Sequence, residues 1–161
     1  MPFFLRDTGT VRTDLIHYAF TIAAPPEAVF GHLAEPESYV GLSPLVVSVR
    51  DISRDDGIIR YRAVERFRIA GRLSHDNVIA VTLEANRDDM TVGGDVRSPG
   101  RVTMTYRYAI TPDGDSAAVT DTLWLRAPSG LRRFAGSRAR AVQFARARIL
   151  AERLAAPAGR L

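Results

Sequence analysis

Apolar residues recur at every second position over Ile16, Tyr18, Phe20 and Ile22, the period that places them on one face of a half-buried strand. The pattern breaks at Pro25-Pro26, where fixed φ and a missing backbone donor suit the first turn of a helix. Val29, Phe30 and Leu33 then share a face at helical spacing, and Pro36 ends or restarts the helix before a second short one through Tyr39. After Pro44 the pattern predicts six strands, at about Val46–Ser53, Ile58–Ile69, Leu73–Ala85, Met90–Ser98, Val102–Thr111 and Ala117–Arg126. They are separated by Asp55-Asp56-Gly57, Ala70-Gly71, Asn86 to Asp89, Ser98-Pro99-Gly100 and Pro112 to Asp115. These have the chemistry and length of hairpin turns, so consecutive strands are expected to be antiparallel.

Alternation within the strands says which face is wet. Arg60, Arg62, Arg66 and Arg68 alternate with Ile59, Tyr61, Ala63, Glu65, Phe67 and Ile69. Ile79, Val81 and Leu83 form one apolar row, and Val102, Met104, Tyr106, Tyr108 and Ile110 another, opposite Thr103, Thr105 and Arg107. A sheet with one apolar face needs a cover. The expected cover is a helix from about Leu131 to Ala155, capped by Ser129. Its apolar stripe would be Leu131, Phe134, Ala135, Ala141, Val142, Ala145 and Ile149, with Arg132, Arg133, Arg140, Arg146 and Arg148 mostly off it. The expected architecture is α+β: a curved antiparallel sheet of about seven strands, two short helices after the first strand, and a long C-terminal helix enclosing a cavity.

The chain has 161 residues, the size of one domain with a core. We expect a single domain over 1–161, with its core at about 14–155 and flexible ends at 1–13 and 156–161. No apolar run approaches the roughly 20 residues of a membrane span, and the N-terminus lacks a signal-peptide pattern, so a cytoplasmic protein is expected. The absence of cysteine excludes disulfides, thiol catalysis and Cys-ligated metals, and three scattered histidines make no metal site. No cofactor is implied. The net charge is +4, yet all 22 basic residues are arginine. A GC-rich genome accounts for such a bias, and no nucleic-acid-binding motif accompanies it, so nucleic acid is disfavoured as a partner.

Thr21-Ile22-Ala23-Ala24-Pro25-Pro26-Glu27-Ala28-Val29-Phe30, followed by Ala34-Glu35-Pro36-Glu37-Ser38-Tyr39 and set in this element order, resembles the polyketide cyclase/dehydrase branch of the START/Bet v1-like (SRPBCC) superfamily. The layout covers about residues 14 to 155; the sequence match proper is confined to the opening segment. The resemblance implies a helix-grip fold and a hydrophobic or aromatic small-molecule partner. It leaves the activity open between a cyclase/dehydratase and a non-catalytic carrier. Tyr39 to Pro44 with Val46-Val47-Ser48-Val49 is also similar to quinone-binding carriers of that superfamily. A carrier protein is a candidate partner of a biosynthetic enzyme, and the oligomeric state is left as monomer or homodimer.

Polar residues on the covered face are the candidates for chemistry. Glu65 shares a row with Tyr61 and Phe67, and burial would raise its pKa toward the range useful for proton transfer. A carboxylate paired with a nearby arginine, or lying at the sheet rim where it reaches water, is the structural reading and the favoured one. His75 and Asn77 share a row with Ile79 and Val81, where His75 suits a general acid or base and Asn77 a ligand carbonyl; both lie near a turn. Arg138 falls within the helix stripe, where it could hold a carboxylate or enolate oxygen, or instead pair with Asp121, which interrupts Val119 and Leu123. Tyr39, Tyr61, Tyr106 and Tyr108 could stack on a flat ligand or simply fill the core. Met104, Phe134 and Val142 complete the expected lining. Trp124 is expected on the outer face.

Overall fold

The computed structural model describes residues 12–155. Strand β1 (Thr13–Ile22) leads into helix α1 (Pro26–Leu33) and a 3₁₀ turn at Pro36–Tyr39. Strands β2 (Val46–Asp55), β3 (Ile58–Ala70), β4 (Leu73–Asn86), β5 (Thr91–Ser98), β6 (Val102–Asp113) and β7 (Ser116–Arg126) precede helix α2 (Arg132–Leu154). The expected flexible ends lie almost wholly outside the described residues; Thr13 already belongs to β1.

All seven strands form one antiparallel sheet in the order β1-β7-β6-β5-β4-β3-β2. The hairpins make every consecutive pair from β2 to β7 neighbours, while β1 closes against β7 with Ile16 opposite Leu123 and Ile22 opposite Ala117. Apolar residues of the concave face meet α1 in a core that includes Ile22, Val29, Leu33, Leu83, Val92 and Val119, all nearly inaccessible. Trp124 lies half-buried between the buried Leu123 and Leu125, on the opposite face of β7.

Strand β5 passes unusually close to β4 at Gly94. Between the pairs Val81↔Val96 and Glu84↔Gly93 the β4–β5 ladder lapses. There the Tyr106 hydroxyl reaches over from β6 and donates to the Thr82 carbonyl at 2.9 Å. A Cβ on Gly94 would lie 1.9 Å from that same carbonyl oxygen, so only glycine admits this approach.

Helix α2 departs from expectation at its start and in its phase. Ser129 does not cap it: the N-cap is Leu131, with no side-chain cap bond. The first turn is held instead by Arg132, which grips Asp14 of β1 through two guanidinium nitrogens. Its buried residues are Ala139, Gln143, Ala147 and Leu150, whereas Leu131, Phe134 and Ala141 of the expected stripe are exposed. With so many alanines and arginines, side-chain size gives little contrast between the helix faces. At its far end Arg153 donates to the carbonyls of Ser38 at 2.6 Å and Val40 at 2.8 Å. Among the described residues no helix is long and apolar enough to cross a membrane.

Candidate functional site

Beyond the packed core, α2 stands off the sheet and leaves a cavity of about 280 Å³, near the lower end of the size range of organic-ligand pockets. Its floor comes from the inward rows of β3, β4 and β6: Tyr61, Ala63, Glu65 and Phe67, then Asn77, Ile79 and Val81, then Met104 and Tyr106. Its roof is one side of α2, from Phe134 and Ala135 through Arg138 and Val142 to Arg146. Tyr39, at the end of the 3₁₀ turn, contributes to the wall.

The antiparallel register sets Glu65 opposite Asn77, and Asn77 donates to the Glu65 carboxylate at 3.4 Å. Burial pushes the Glu65 carboxyl above the usual range, opposed by the Asn77 bond and by the positive charges of Arg138 and Arg146. Arg138 reaches across from α2 with its guanidinium carbon 4.4 Å from the Phe67 ring centroid and 5.3 Å from that of Phe134. A guanidinium held against aromatic faces gains a cation–π attraction and keeps its edge donors available. Its Nη1 is buried without a hydrogen-bond partner among the described residues.

A second polar group lies deeper. Arg146, only 13% exposed, donates to the Tyr108 hydroxyl and approaches Asp121 at 4.0 Å, while its Nε is buried and unpartnered among the described residues. Burial raises the Asp121 carboxyl pKa, and Arg146 opposes the rise. Gln143 donates to the Asp121 backbone carbonyl at 3.0 Å. Among the tyrosines, Tyr39 is tied to the Leu33 carbonyl at 2.8 Å and Tyr106 to that of Thr82. Burial pushes all four phenols, Tyr39, Tyr61, Tyr106 and Tyr108, well up, so they stay protonated.

The structure thus brings Glu65, Asn77, Arg138, Tyr39, Tyr61, Met104, Tyr106, Phe134 and Val142 to one cavity. It does not bring His75 there: His75, opposite Phe67 near the end of the β3–β4 hairpin, is exposed and does not line the cavity. Tyr108 and Asp121 are buried behind Arg146 and do not line the space. The Asp121–Arg138 pairing considered from the sequence is replaced by Asp121–Arg146. Arg146 and Gln143 are what sequence reasoning missed. The available signal was position: Arg146 follows Val142 by four residues and Arg138 by eight, on the side of the helix that lines the cavity. The basic face of α2 is also thinner than its seven arginines imply, since Arg132, Arg138, Arg146 and Arg153 all contact other elements.

No curated protein matches this sequence. Solved structures match its fold. The Zhui aromatase/cyclase from Streptomyces sp. R1128 superposes with a TM-score of 0.77, covering 93% of this chain and 100% of its own at 17% identity. A START superfamily protein from Mycobacterium smegmatis gives 0.70, covering 87% and 96% at 15% identity. The di-domain ARO/CYC StfQ from the steffimycin biosynthetic pathway gives 0.65 over 86% of this chain and 45% of its own, at 17% identity. At such identities the likeness establishes the helix-grip fold alone. The family model described as polyketide cyclase/dehydrase and lipid transport matches residues 14–158, and this chain belongs to that family.

Proposed function

We propose that the protein binds an apolar, aromatic or polyketide-like molecule between α2 and the sheet and promotes its cyclisation and dehydration. The observation that carries this reading is the meeting of Glu65, Asn77 and Arg138 on the wall of an otherwise mostly apolar cavity. A carboxyl with a raised pKa lies there beside a guanidinium that has a buried, unused donor. In the proposed reaction the Glu65 carboxylate removes a proton from a carbon between two carbonyls, and Arg138 bonds the resulting enolate oxygen. The enolate carbon attacks a second carbonyl, and Glu65 returns its proton to the alkoxide that forms. Loss of that hydroxyl as water, with a neighbouring proton, gives the double bond. The cavity walls hold the reacting carbons close, and Tyr61 offers a protonated phenol to a carbonyl oxygen.

The test is turnover of a poly-β-ketone thioester, presented on a carrier protein, with product analysis by mass spectrometry. Cyclised, dehydrated product should fall by about 10²-fold or more in Glu65→Gln and Arg138→Gln. A second reading is supported by the exposure of His75, which leaves the cavity with no histidine and with Glu65 as its one carboxyl among the described residues. In that reading the protein carries a quinone or lipid without altering it. A co-purified quinone or lipid, together with no turnover by the unaltered protein, would establish the carrier in place of the enzyme.

A further inference from the structure

Arg138 and Arg146 both line the cavity from α2. Eight residues of helix separate their Cα atoms by about 12 Å along the axis and about 80° around it, with Val142 between them as an apolar spacer. Each keeps a buried guanidinium nitrogen without a protein partner among the described residues: Nη1 of Arg138 and Nε of Arg146. Their immediate contacts fix rather than satisfy them. Phe67 and Phe134 hold the faces of Arg138; Tyr108 and Asp121 both lie at Nη1 of Arg146. A buried, unsatisfied donor on a cation is costly, and two of them spaced two helical turns apart along one wall of a mostly apolar space describe the ligand that would satisfy both.

We infer that the ligand of this cavity is an elongated apolar molecule carrying an oxyanion, or an oxygen that becomes one, at each end: Arg138 takes the outer group and Arg146 the inner. This deepens the proposed function and rests on the cavity being a small-molecule site. It specifies a substrate class, a rigid or extended bis-oxygenated skeleton with polar ends on the order of 10 Å apart, in place of an apolar molecule with one polar head. Tyr61 and Met104 line the same cavity and add to its apolar character.

The inference is tested by calorimetric binding of three probes of equal skeleton: the para-phenol, the para-monocarboxylate and the para,para′-dicarboxylate of biphenyl. The dicarboxylate should bind about tenfold more tightly than the monocarboxylate, the ratio that one charge-assisted hydrogen bond supports. That advantage should vanish in Arg138→Gln and in the double variant Arg146→Gln/Asp121→Asn, which leaves no buried charge unpaired. Circular dichroism confirms that each variant is folded. If all three probes bind alike and neither variant changes the ratio, the two-anchor inference is overturned while the pocket reading survives. If none of the three binds to the folded protein, the pocket reading itself fails and the inference with it.

Discussion

Glu65 is a carboxyl whose environment works against its charge, and that has a consequence for stability apart from any ligand. Burial holds its folded pKa above the ordinary value, so the folded state binds its proton more tightly than the unfolded chain does. The stabilisation from that proton is complete below the unfolded pKa of about 4.3. It is lost as pH rises through the higher folded value. Glu65→Gln keeps the shape and the Asn77 contact while removing the titration, and Asp121 titrates alike in both proteins. Urea midpoints over a pH series should therefore show the variant gaining on the parent as pH rises; a difference that stays flat would remove burial as the cause. Arg146 makes the opposite case. Its loss strands Asp121, which is 1% exposed, and removing one member of a buried pair costs about 3–5 kcal/mol. Arg146→Met should lose that much in chemical denaturation, and adding Asp121→Asn should restore most of it. Additive losses in the double variant would mean that the 4.0 Å approach carries no coupling.

At the scale of elements, the seat of the cavity-lining Tyr106 on the Thr82 carbonyl depends on β5 passing close to β4. Gly94→Ala would drive a methyl into the Thr82 carbonyl, displacing the ladder on which Tyr106 rests. A loss of about 3 kcal/mol or more is expected in urea unfolding, against a gain of up to about 1 kcal/mol for the open Gly136→Ala inside α2. The strands themselves were legible from the chain. Period-two alternation in β3, β4, β6 and β7 placed Glu65, Asn77, Met104 and Tyr106 on the covered face, because a pleated strand leaves no other choice. Alternation does not say how far a cover reaches. His75 is exposed beside Phe67, over which Arg138 of α2 lies instead. The helix phase was not legible for a different reason. In α2 the long arginine stems can fill a cavity wall as readily as they can reach water, so counting charged residues as outward misplaced Arg146. Only the tertiary position of Tyr108 and Asp121 gives that arginine a reason to turn inward.

For the whole molecule, the cavity is the part of the core that the chain does not fill. The closed end is packed by α1 and the concave sheet face, while α2 is held at its start by Asp14–Arg132 and at its end by Arg153 on the Ser38 and Val40 carbonyls. The helix is thus fixed at both ends across a space of about 280 Å³, a strut that cannot collapse onto the sheet without breaking those contacts. Void surface lined by Ile79, Val81 and Leu125 forfeits dispersion contacts that an apolar ligand would restore. A ligand that binds only the folded state stabilises it by about 2.7 kcal/mol at about 100 times its Kd. For a domain of this size that raises Tm by about 5–10 °C. The biphenyl dicarboxylate should produce such a rise in the parent protein. Val142→Phe, which places a ring in the middle of the α2 wall, should unfold at a temperature close to that of the ligand-free parent and lose most of the ligand-dependent rise. A full rise in that variant would place the bound molecule elsewhere on the protein, since no ligand spanning Arg138 to Arg146 can pass a ring at residue 142.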